Sequence, residues 1–250
     1  MLAIARRNAI REQLKENKSV TITELASRLD VAKETIRRDL RSMEDAGELI
    51  RTHGGAYILE GVQNNIDAST RRVLKIEEKE LIARKCDSLI HSGDFVFLDG
   101  STTAWSIARL LVSRPLTVLT NSLEIAKILS ESNRVRLFLI GGEYSPGGMC
   151  FTGRGAVESM ERYFVDKCFI SCRSVSMEHG MTDTDADAAA LRRVALEHSR
   201  ARYLAVDGTK LGWDSFAHLA PLGELDGLIT EAALSPEWKE CLKQNDVKII

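Results

Sequence analysis

A short run of small and hydroxyl-bearing residues, Asp99-Gly100-Ser101-Thr102-Thr103, follows directly on an apolar run. The pattern predicts a strand that leads through a tight loop into a helix. The first backbone N–H groups of a helix lack intrahelical partners and the helix dipole favours an anion there, so such a loop is suited to bind phosphate. The loop alone fits an active site and a ligand sensor equally well.

Three further polar clusters follow apolar runs later in the chain. They contain Asn121 and Ser122, Gly141 and Gly142, and Asp207 with Lys210. Because parallel strands end at one edge of a sheet and ligands bind beyond that edge, the four clusters are predicted to line one crevice. Turn formation and helix capping are the alternative for each cluster singly, and singly they are favoured for Ser122 and Gly142. Jointly the binding crevice is favoured, because capping does not require Asp, Asn and Lys at the same end of one sheet.

These residue types indicate what the crevice would bind. Donors of the loop that begins at Asp99 would hold a phosphate, and Lys210 would add a positive charge. The polar side chains of Asp99, Asn121 and Asp207 would bind sugar hydroxyls. The predicted ligand is therefore a phosphorylated sugar or a related metabolite.

Catalytic and metal-binding patterns are weak by comparison. The histidines form no convincing pair with a nucleophile, and the alternating aspartates of residues 183–187 lack the glycine and distant glutamate of a calcium loop. Five cysteines without a C-x-x-C pair suit neither disulfides nor zinc. Cys168 and Cys172 are predicted to be buried thiols on one face of a strand. We expect no metal, no cofactor and no catalytic residue.

The elements that would position these residues alternate regularly after residue 75. Apolar runs predict strands at 95–98, 116–119, 135–140, 167–172, 201–206, 228–230 and 247–250. Amphipathic patterns predict helices at 75–91, 103–112, 123–130, 156–163, 186–198 and around 238–242. Apolar strands between amphipathic helices are typical of a doubly wound, mostly parallel α/β domain.

The first sixty residues have a different pattern. Apolar residues at helical spacing predict a short helix over residues 23–29, with Thr21 or Thr23 as its N-cap. After a three-residue break, a second amphipathic helix carries Ile36, Leu40 and Met43 on one face. An earlier helix over residues 3–16, with Ile10 and Leu14 inward, would complete a three-helix core. This order is typical of a helix-turn-helix, whose second helix enters the major groove of DNA.

The residues expected to meet DNA lie on and after the second helix. They are Lys33, Glu34, Thr35, Arg37, Arg38, Arg41, Arg51 and His53. The last two belong to residues 48–58, which predict two short strands joined by a Gly-Gly turn and thus a wing. For the three helix arginines a merely solvated charged face is the alternative.

The string V-A-K-E-T-I-R-R-D-L-R-x-M-E-D-A-G-E-L-x-R-T-H-G-G-A, from residue 31 to residue 56, resembles the signature of the DeoR family of bacterial repressors. The resemblance covers nearly the whole chain, because DGSTT, TNS, GG and VDGTKLG are similar to the family's strand-end motifs. It implies a winged helix-turn-helix in which Lys33, Thr35, Arg37 and Arg38 face DNA, with Lys33 and Arg37 nearest the bases.

The same resemblance implies an effector domain similar in fold to the ribose-phosphate isomerases, a phosphorylated sugar or related metabolite as effector, and repression of a carbohydrate operon. An isomerase-like enzyme with a helical appendage is the alternative. Those isomerases carry an acidic D-G-x-D segment where this chain has Cys172-Arg173-Ser174, which also departs from the Gly-Ile-Asp of many family repressors. Arg173 would bind a second anionic group or pair with the aspartates of residues 183–187; the pairing is favoured.

Length and charge complete the expected organisation. The 250 residues carry a net charge of −2, with +2 in residues 1–56 and −4 in the remainder. We expect a winged helix-turn-helix over 1–58, a linker over 59–74, and an effector-binding and oligomerisation domain over 75–250. One such head makes few base contacts, so a homodimer or homotetramer on double-stranded operator DNA is expected.

The longest apolar runs are shorter than the roughly 20 residues of a membrane span, which predicts a cytoplasmic protein without a membrane partner.

Overall fold

The chain divides into two compact units, Met1–Leu74 and Lys75–Ile250. The structure is a computed structural model and describes residues 2–17, 19–45, 48–51, 54–57 and 68–250. Among the helices of these residues, none combines the length and the apolar character that crossing a membrane requires.

The first unit consists of helices and short strands. In chain order they are α1 (Ala3–Asn17), β1 (Ser19–Thr21), α2 (Ile22–Arg28), α3 (Lys33–Asp45), β2 (Ile50–Arg51), β3 (Gly55–Tyr57) and α4 (Ala68–Arg71). The Thr21 hydroxyl accepts a hydrogen bond from the N–H of Glu24 at 3.1 Å, so Thr21 is the N-cap and α2 begins at residue 22. The predicted apolar faces are confirmed, because the following side chains are at most 2% exposed: Ile10, Leu14, Ile36, Leu40 and Met43.

The wing is a three-stranded sheet rather than a strand pair. Strands β2 and β3 pair antiparallel as predicted, and β1 adds to β3 on its other side. Gly55 belongs to β3 and not to the turn. A Cβ at this position would lie 1.9 Å from the carbonyl oxygen of Val20 in β1. The close approach of the two strands therefore requires glycine.

Part of the linker expected over residues 59–74 lies within the described structure. Residues 58–67 lie outside the described part of the chain, whereas residues from Ala68 onward form α4 and lead to Leu74. Leu74 is buried in a cluster with Tyr57 of β3. One anchoring leucine gives no periodic signal, so the polar composition of this segment concealed it.

The second unit alternates strands and helices. In chain order they are α5 (Ile76–Leu89), β4 (Phe95–Leu98), α6 (Thr102–Leu111), β5 (Leu116–Thr120), α7 (Leu123–Ser130), β6 (Val135–Leu139), β7 (Glu143–Ser145), β8 (Cys150–Thr152), α8 (Arg154–Met160), β9 (Val165–Ile170), β10 (Ser174–Ser176), β11 (Gly180–Asp183), α9 (Ala186–Glu197), β12 (Ser199–Ala205), β13 (Ala217–Ala220), β14 (Gly227–Ile229), α10 (Pro236–Gln244) and β15 (Lys248–Ile249).

Seven of these strands form one parallel sheet in the order β15-β14-β12-β9-β4-β5-β6. Phe97 of β4 packs in a core with α8, α9 and α10, while α5 packs on α6 and α6 on α7. Helices thus cover both faces, and the doubly wound α/β class is confirmed. The strand order reverses between β4 and β9, and in doubly wound sheets ligands bind beyond the strand ends at such a reversal.

Two antiparallel pieces are additions that the sequence patterns did not predict. They are the hairpin β7-β8 and the three-stranded sheet β10-β11-β13. These strands have three or four residues each, which is too short to show an alternation of apolar and polar residues. Their sequences therefore predict loops. Strand β9 ends at Ile170, so Cys172 lies beyond it and not on one strand face with Cys168, although both thiols are buried.

We predict that Gly55→Ala opens the wing, because its methyl group would overlap the Val20 carbonyl oxygen. The cost is about 2 kcal/mol, as for other overpacked sites. Hydrogen–deuterium exchange of the full chain should show faster exchange in peptides from β1 and α2. Gly54→Ala is the matched control, since a Cβ there meets nothing within 4 Å. Equal exchange in both variants would contradict the close-approach explanation.

Candidate functional site

Helix α3 presents the charged face that the sequence predicted. Lys33, Glu34, Arg37, Arg38 and Arg41 are exposed, and Thr35 is half-buried. The Arg37 guanidinium donates to Glu34 at 2.9 Å, with side chains 53% and 82% exposed. An ion pair so exposed contributes little stability, so the guanidinium is available to a stronger anionic partner.

The opposite face of α3 is fixed by a buried ion pair. Asp39 is 2% exposed, and its carboxylate accepts hydrogen bonds from Nε and Nη2 of Arg6 in α1. Hydrogen bonding to Asp39 outweighs burial and raises the pKa of Arg6. This contact ties α3 to α1, and neither residue was among those singled out from the sequence. An aspartate near the apolar stripe of Ile36, Leu40 and Met43 was the available signal.

Of the two wing residues expected to meet DNA, the structure describes Arg51. The N–H of Arg51 donates to Glu44 of α3 at 3.0 Å, and its guanidinium lies 3.5 Å from the same carboxylate. That contact holds β2 against α3. His53 lies outside the described residues.

In the second unit, the Asp99 carboxylate joins three elements beyond the ends of β4 and β9. One oxygen accepts from the N–H of Ser101 at 3.1 Å, and the other accepts from the N–H of Ser171, also at 3.1 Å. The second oxygen also accepts from Nε of Arg192 in α9 at 2.7 Å. Asp99 is 1% exposed, so its carboxylate positions the loop instead of standing open to solvent.

The N-terminus of α6 carries the donors that a phosphate requires. Ser101 is the N-cap, with its hydroxyl accepting from the N–H of Ala104 at 3.1 Å. Within the part of the chain that the structure describes, the N–H groups of Gly100, Thr102 and Thr103 donate no hydrogen bond. The same holds for the hydroxyls of Thr102 and Thr103, which are not fully buried atoms. Three amides and two hydroxyls therefore remain for a ligand.

Asn121 borders this loop and has an unused acceptor. Its Nδ2 donates to the carbonyl oxygen of Phe151 at 2.8 Å, which fixes the amide orientation. The buried Oδ1 has no hydrogen-bond partner among the described residues, although Asn121 is only 4% exposed. A Cβ on Gly100 would lie 3.7 Å from Nδ2, and 3.0 Å from the Sγ of Cys150 in β8. Since buried polar atoms are normally satisfied, Oδ1 indicates a missing donor such as a ligand hydroxyl.

Ser122 has the capping role that was the alternative for it. Its hydroxyl caps α7 by accepting from Ile125 N–H at 3.2 Å, and it also accepts from the indole N–H of Trp105 at 3.0 Å. Because Trp105 lies in α6, this contact links the two helices that begin at the crevice.

Gly141 and Gly142 differ in their surroundings. A Cβ at Gly142 would lie 2.6 Å from the carbonyl oxygen of Thr152 and 2.9 Å from Ala156, while one at Gly141 would meet nothing within 4 Å. Gly142 therefore permits close packing of the strand end against β8 and α8, and the β7-β8 hairpin that follows it provides Cys150 and Phe151.

Asp207 and Lys210 lie beyond β12, with β9 between them and β4. The Asp207 carboxylate accepts hydrogen bonds from the N–H and the hydroxyl of Thr209. Asp207 is thereby the N-cap of a short 3-10 turn at Gly208–Lys210. Burial and Asp183 raise the pKa of the Cys172 thiol to about 12, and the charges of Arg192 and Lys210 offset part of this. The charges of Lys210 and Arg192 therefore both act on the Cys172 thiol.

Arg192 belongs to the candidate site, although no sequence pattern singled it out. Its Nη1 donates to Asp183 at 2.6 Å while its Nε holds Asp99. Burial disfavours its charge, but the two carboxylates outweigh burial and raise the pKa of Arg192. The available signal was an arginine three residues after Ala189 and four before Leu196, on the apolar stripe of α9.

Arg173 was expected to pair with an aspartate of residues 183–187, and one of these, Asp183, is bound by Arg192. Arg173 is 8% exposed, and its guanidinium carbon lies 5.3 Å from the ring centre of Trp213. Sequence separation could not show that Arg192 reaches the end of β11.

We predict that Asp99→Asn destabilises the second unit by about 3 kcal/mol, because it breaks a buried ion pair. Urea denaturation followed by tryptophan fluorescence measures this, since all three tryptophans lie in that unit. Glu80→Gln is the control, because its ion pair with Arg84 is more than half exposed on both sides, at 56% and 67%. Similar losses in the two variants would argue against a special role for Asp99.

The model of the DeoR-like helix-turn-helix domain matches residues 6–62, and that of the DeoR C terminal sensor domain matches residues 74–232. Two of the relatives, the uncharacterized regulator YulB and the repressor GlcR, come from Bacillus subtilis (strain 168). YulB is 35% identical over 100% of this chain and 96% of its own length, and GlcR is 34% identical over 97% and 93%.

The lactose phosphotransferase system repressor of Staphylococcus aureus (strain MRSA252) is 36% identical over 86% of this chain and 87% of its own. Among solved structures, ribose 5-phosphate isomerase A of Methanocaldococcus jannaschii is similar over 53% of each chain, with 16% identity and a TM-score of 0.39. The two family models and the full-length relatives establish that this chain belongs to the DeoR family of helix-turn-helix transcriptional regulators.

Proposed function

We propose that the protein represses a carbohydrate-metabolism operon and that a phosphorylated sugar or related metabolite in the crevice of residues 75–250 controls it. The observation that carries the ligand class is the set of unpaired N–H groups at Gly100, Thr102 and Thr103. Backbone amides at a helix N-terminus favour a compact anion such as a phosphate. The unpartnered Oδ1 of Asn121 supports a hydroxyl-bearing ligand beside it.

Residues 1–58 form the DNA-binding head in this proposal. Helix α3 enters the major groove, where Lys33 and Arg37 near its start read base edges, while Arg38 and Arg41 meet phosphates. Thr35 and Glu34 lie on the same face, and Arg51 and His53 belong to the wing. The buried pair of Arg6 and Asp39 supports this arrangement because it holds the recognition helix from behind.

Specific binding requires more than one head. We place the oligomerisation contacts in residues 75–250 and the linker in residues 59–74, so that a homodimer or homotetramer spans half-sites roughly 34 Å apart or multiples of that. Ligand binding changes how the second units pair, and the linker alters the spacing of the heads. A hundredfold change in DNA affinity requires about 2.7 kcal/mol of differential binding.

A sensing role is favoured over the isomerase-like alternative by the residues after β9. Isomerisation requires a carboxylate base beside the substrate carbon, and this position holds Cys172, Arg173 and Ser174. The carboxylate at the start of the α6 loop, Asp99, is committed to Arg192 and to two backbone N–H groups. Purified protein is therefore expected to show no turnover of pentose or hexose phosphates; measurable turnover together with absent DNA binding would support the enzyme.

We predict that Arg37→Ala weakens binding to a duplex from the upstream region of its own gene by about five- to 150-fold, since one base-reading arginine contributes about 1–3 kcal/mol. Fluorescence anisotropy at several salt concentrations measures the affinity and its salt dependence. The control Arg84→Ala removes an exposed arginine from the second unit, 67% exposed, and should leave binding unchanged. Thermal stabilisation by ligand should be the same in both variants.

We predict that Thr102→Pro abolishes stabilisation by sugar phosphates, measured as thermal shifts with pentose and hexose phosphates and the same sugars without phosphate. Proline at the first helical position keeps the helix but removes one N–H donor. The chain already begins α10 in this way, with Pro236 after its cap Ser235. The control Thr102→Val keeps the N–H and should retain a shift. A full shift in Thr102→Pro would place the phosphate elsewhere.

A further inference from the structure

The Arg192 side chain lies between two carboxylates that come from different parts of the second unit. Asp99 follows the central strand β4, whereas Asp183 ends β11 of the antiparallel sheet. Nε of Arg192 donates to the first at 2.7 Å and Nη1 donates to the second at 2.6 Å. The guanidinium therefore connects the parallel sheet to the antiparallel sheet through charge-assisted hydrogen bonds.

This guanidinium also lies beside the loop that begins α6. Asp99, to which it is bound, immediately precedes Gly100. The hydrogen bond to Asp99 thus places Arg192 beside the loop that carries the unpaired amides.

The third nitrogen of Arg192 is unused. Nη2 donates no hydrogen bond within the described residues, and it is not among the fully buried atoms without a partner. The side chain is 12% exposed, so this nitrogen keeps contact with solvent while Nε is held by Asp99. A planar guanidinium held at two nitrogens presents its third in a fixed direction, which is an arrangement suited to a phosphate oxygen.

We propose that Arg192 binds the anionic group of the effector through Nη2 and that Asp183 attenuates this binding. The inference rests on the proposed function, since it takes the ligand to be a phosphate ester in the same crevice. An oxygen of the bound phosphate competes with Asp183 for the charge of Arg192. Ligand binding thereby weakens the link from Arg192 to β11, and the antiparallel sheet senses the occupied crevice.

Two substitutions should act in opposite directions. Arg192→Gln removes the charged donor, and it should weaken binding of inorganic phosphate about tenfold or more, as for one lost charge-assisted hydrogen bond. Asp183→Asn removes a competing negative charge, and it should tighten binding several-fold. A residue that only stabilises the fold would weaken binding or leave it unchanged in both variants.

Isothermal titration of the full-length protein with inorganic phosphate, in buffers of matched ionic strength, measures these affinities. Arg193→Gln is the matched control: Arg193 follows Arg192 in α9 but donates to the carbonyl oxygens of His218 and Leu219. It should bind phosphate as the unsubstituted protein does. If Arg192→Gln does not fold, the double variant Asp183→Asn/Arg192→Gln keeps only one of the two carboxylates and should show the same weakening.

The outcomes separate the two proposals. Phosphate binding by the unsubstituted protein with equal affinity in the Arg192→Gln variant, or weakened binding in Asp183→Asn, overturns the role of Arg192 and leaves the phosphate crevice standing. A chain that binds neither inorganic phosphate nor any sugar phosphate overturns both.

Discussion

The second unit depends on one buried carboxylate. Asp99 accepts hydrogen bonds from the loop that it begins, from the strand end of β9 and from α9, so it fixes the point at which the strand order reverses. A carboxylate without partners in such a place would be costly, and the guanidinium of Arg192 offsets that cost. At the start of α6, the Asp99 side chain accepts a hydrogen bond from the N–H of Ser101 only. The N–H groups of Gly100, Thr102 and Thr103 therefore stay available.

The first unit uses the same device for a different purpose. Asp39 lies on the inner side of the recognition helix and binds Arg6, while the outer side carries arginines that are exposed or weakly paired. A buried ion pair requires an accurate geometry, because a misplaced partner leaves a buried charge without compensation. In both units a buried ion pair therefore positions groups that are themselves left open to a ligand or to DNA.

Much of this organisation was predictable from pattern alone. The alternation of apolar runs and amphipathic helices after residue 75 gave a doubly wound sheet, and Ile36, Leu40 and Met43 identified the buried side of α3. Short strands were not predictable, because three residues such as Ser19–Thr21 pair through backbone contacts that leave no periodic trace. The anchoring of Leu74 against Tyr57 escaped for a similar reason.

The sequence by itself determined the two kinds of site, since residue type and local spacing suffice to recognise a basic helix after a turn and a small polar loop before a helix. Only the tertiary structure decided which polar groups are committed and which remain available. Asp99 and Ser122 were expected to face a ligand, yet their oxygens are occupied by backbone N–H groups, Arg192 and Trp105. Arg192 joins the crevice from 93 residues away in the chain. Hydrogen-bond partners at such separations are set by packing, and no local pattern records them.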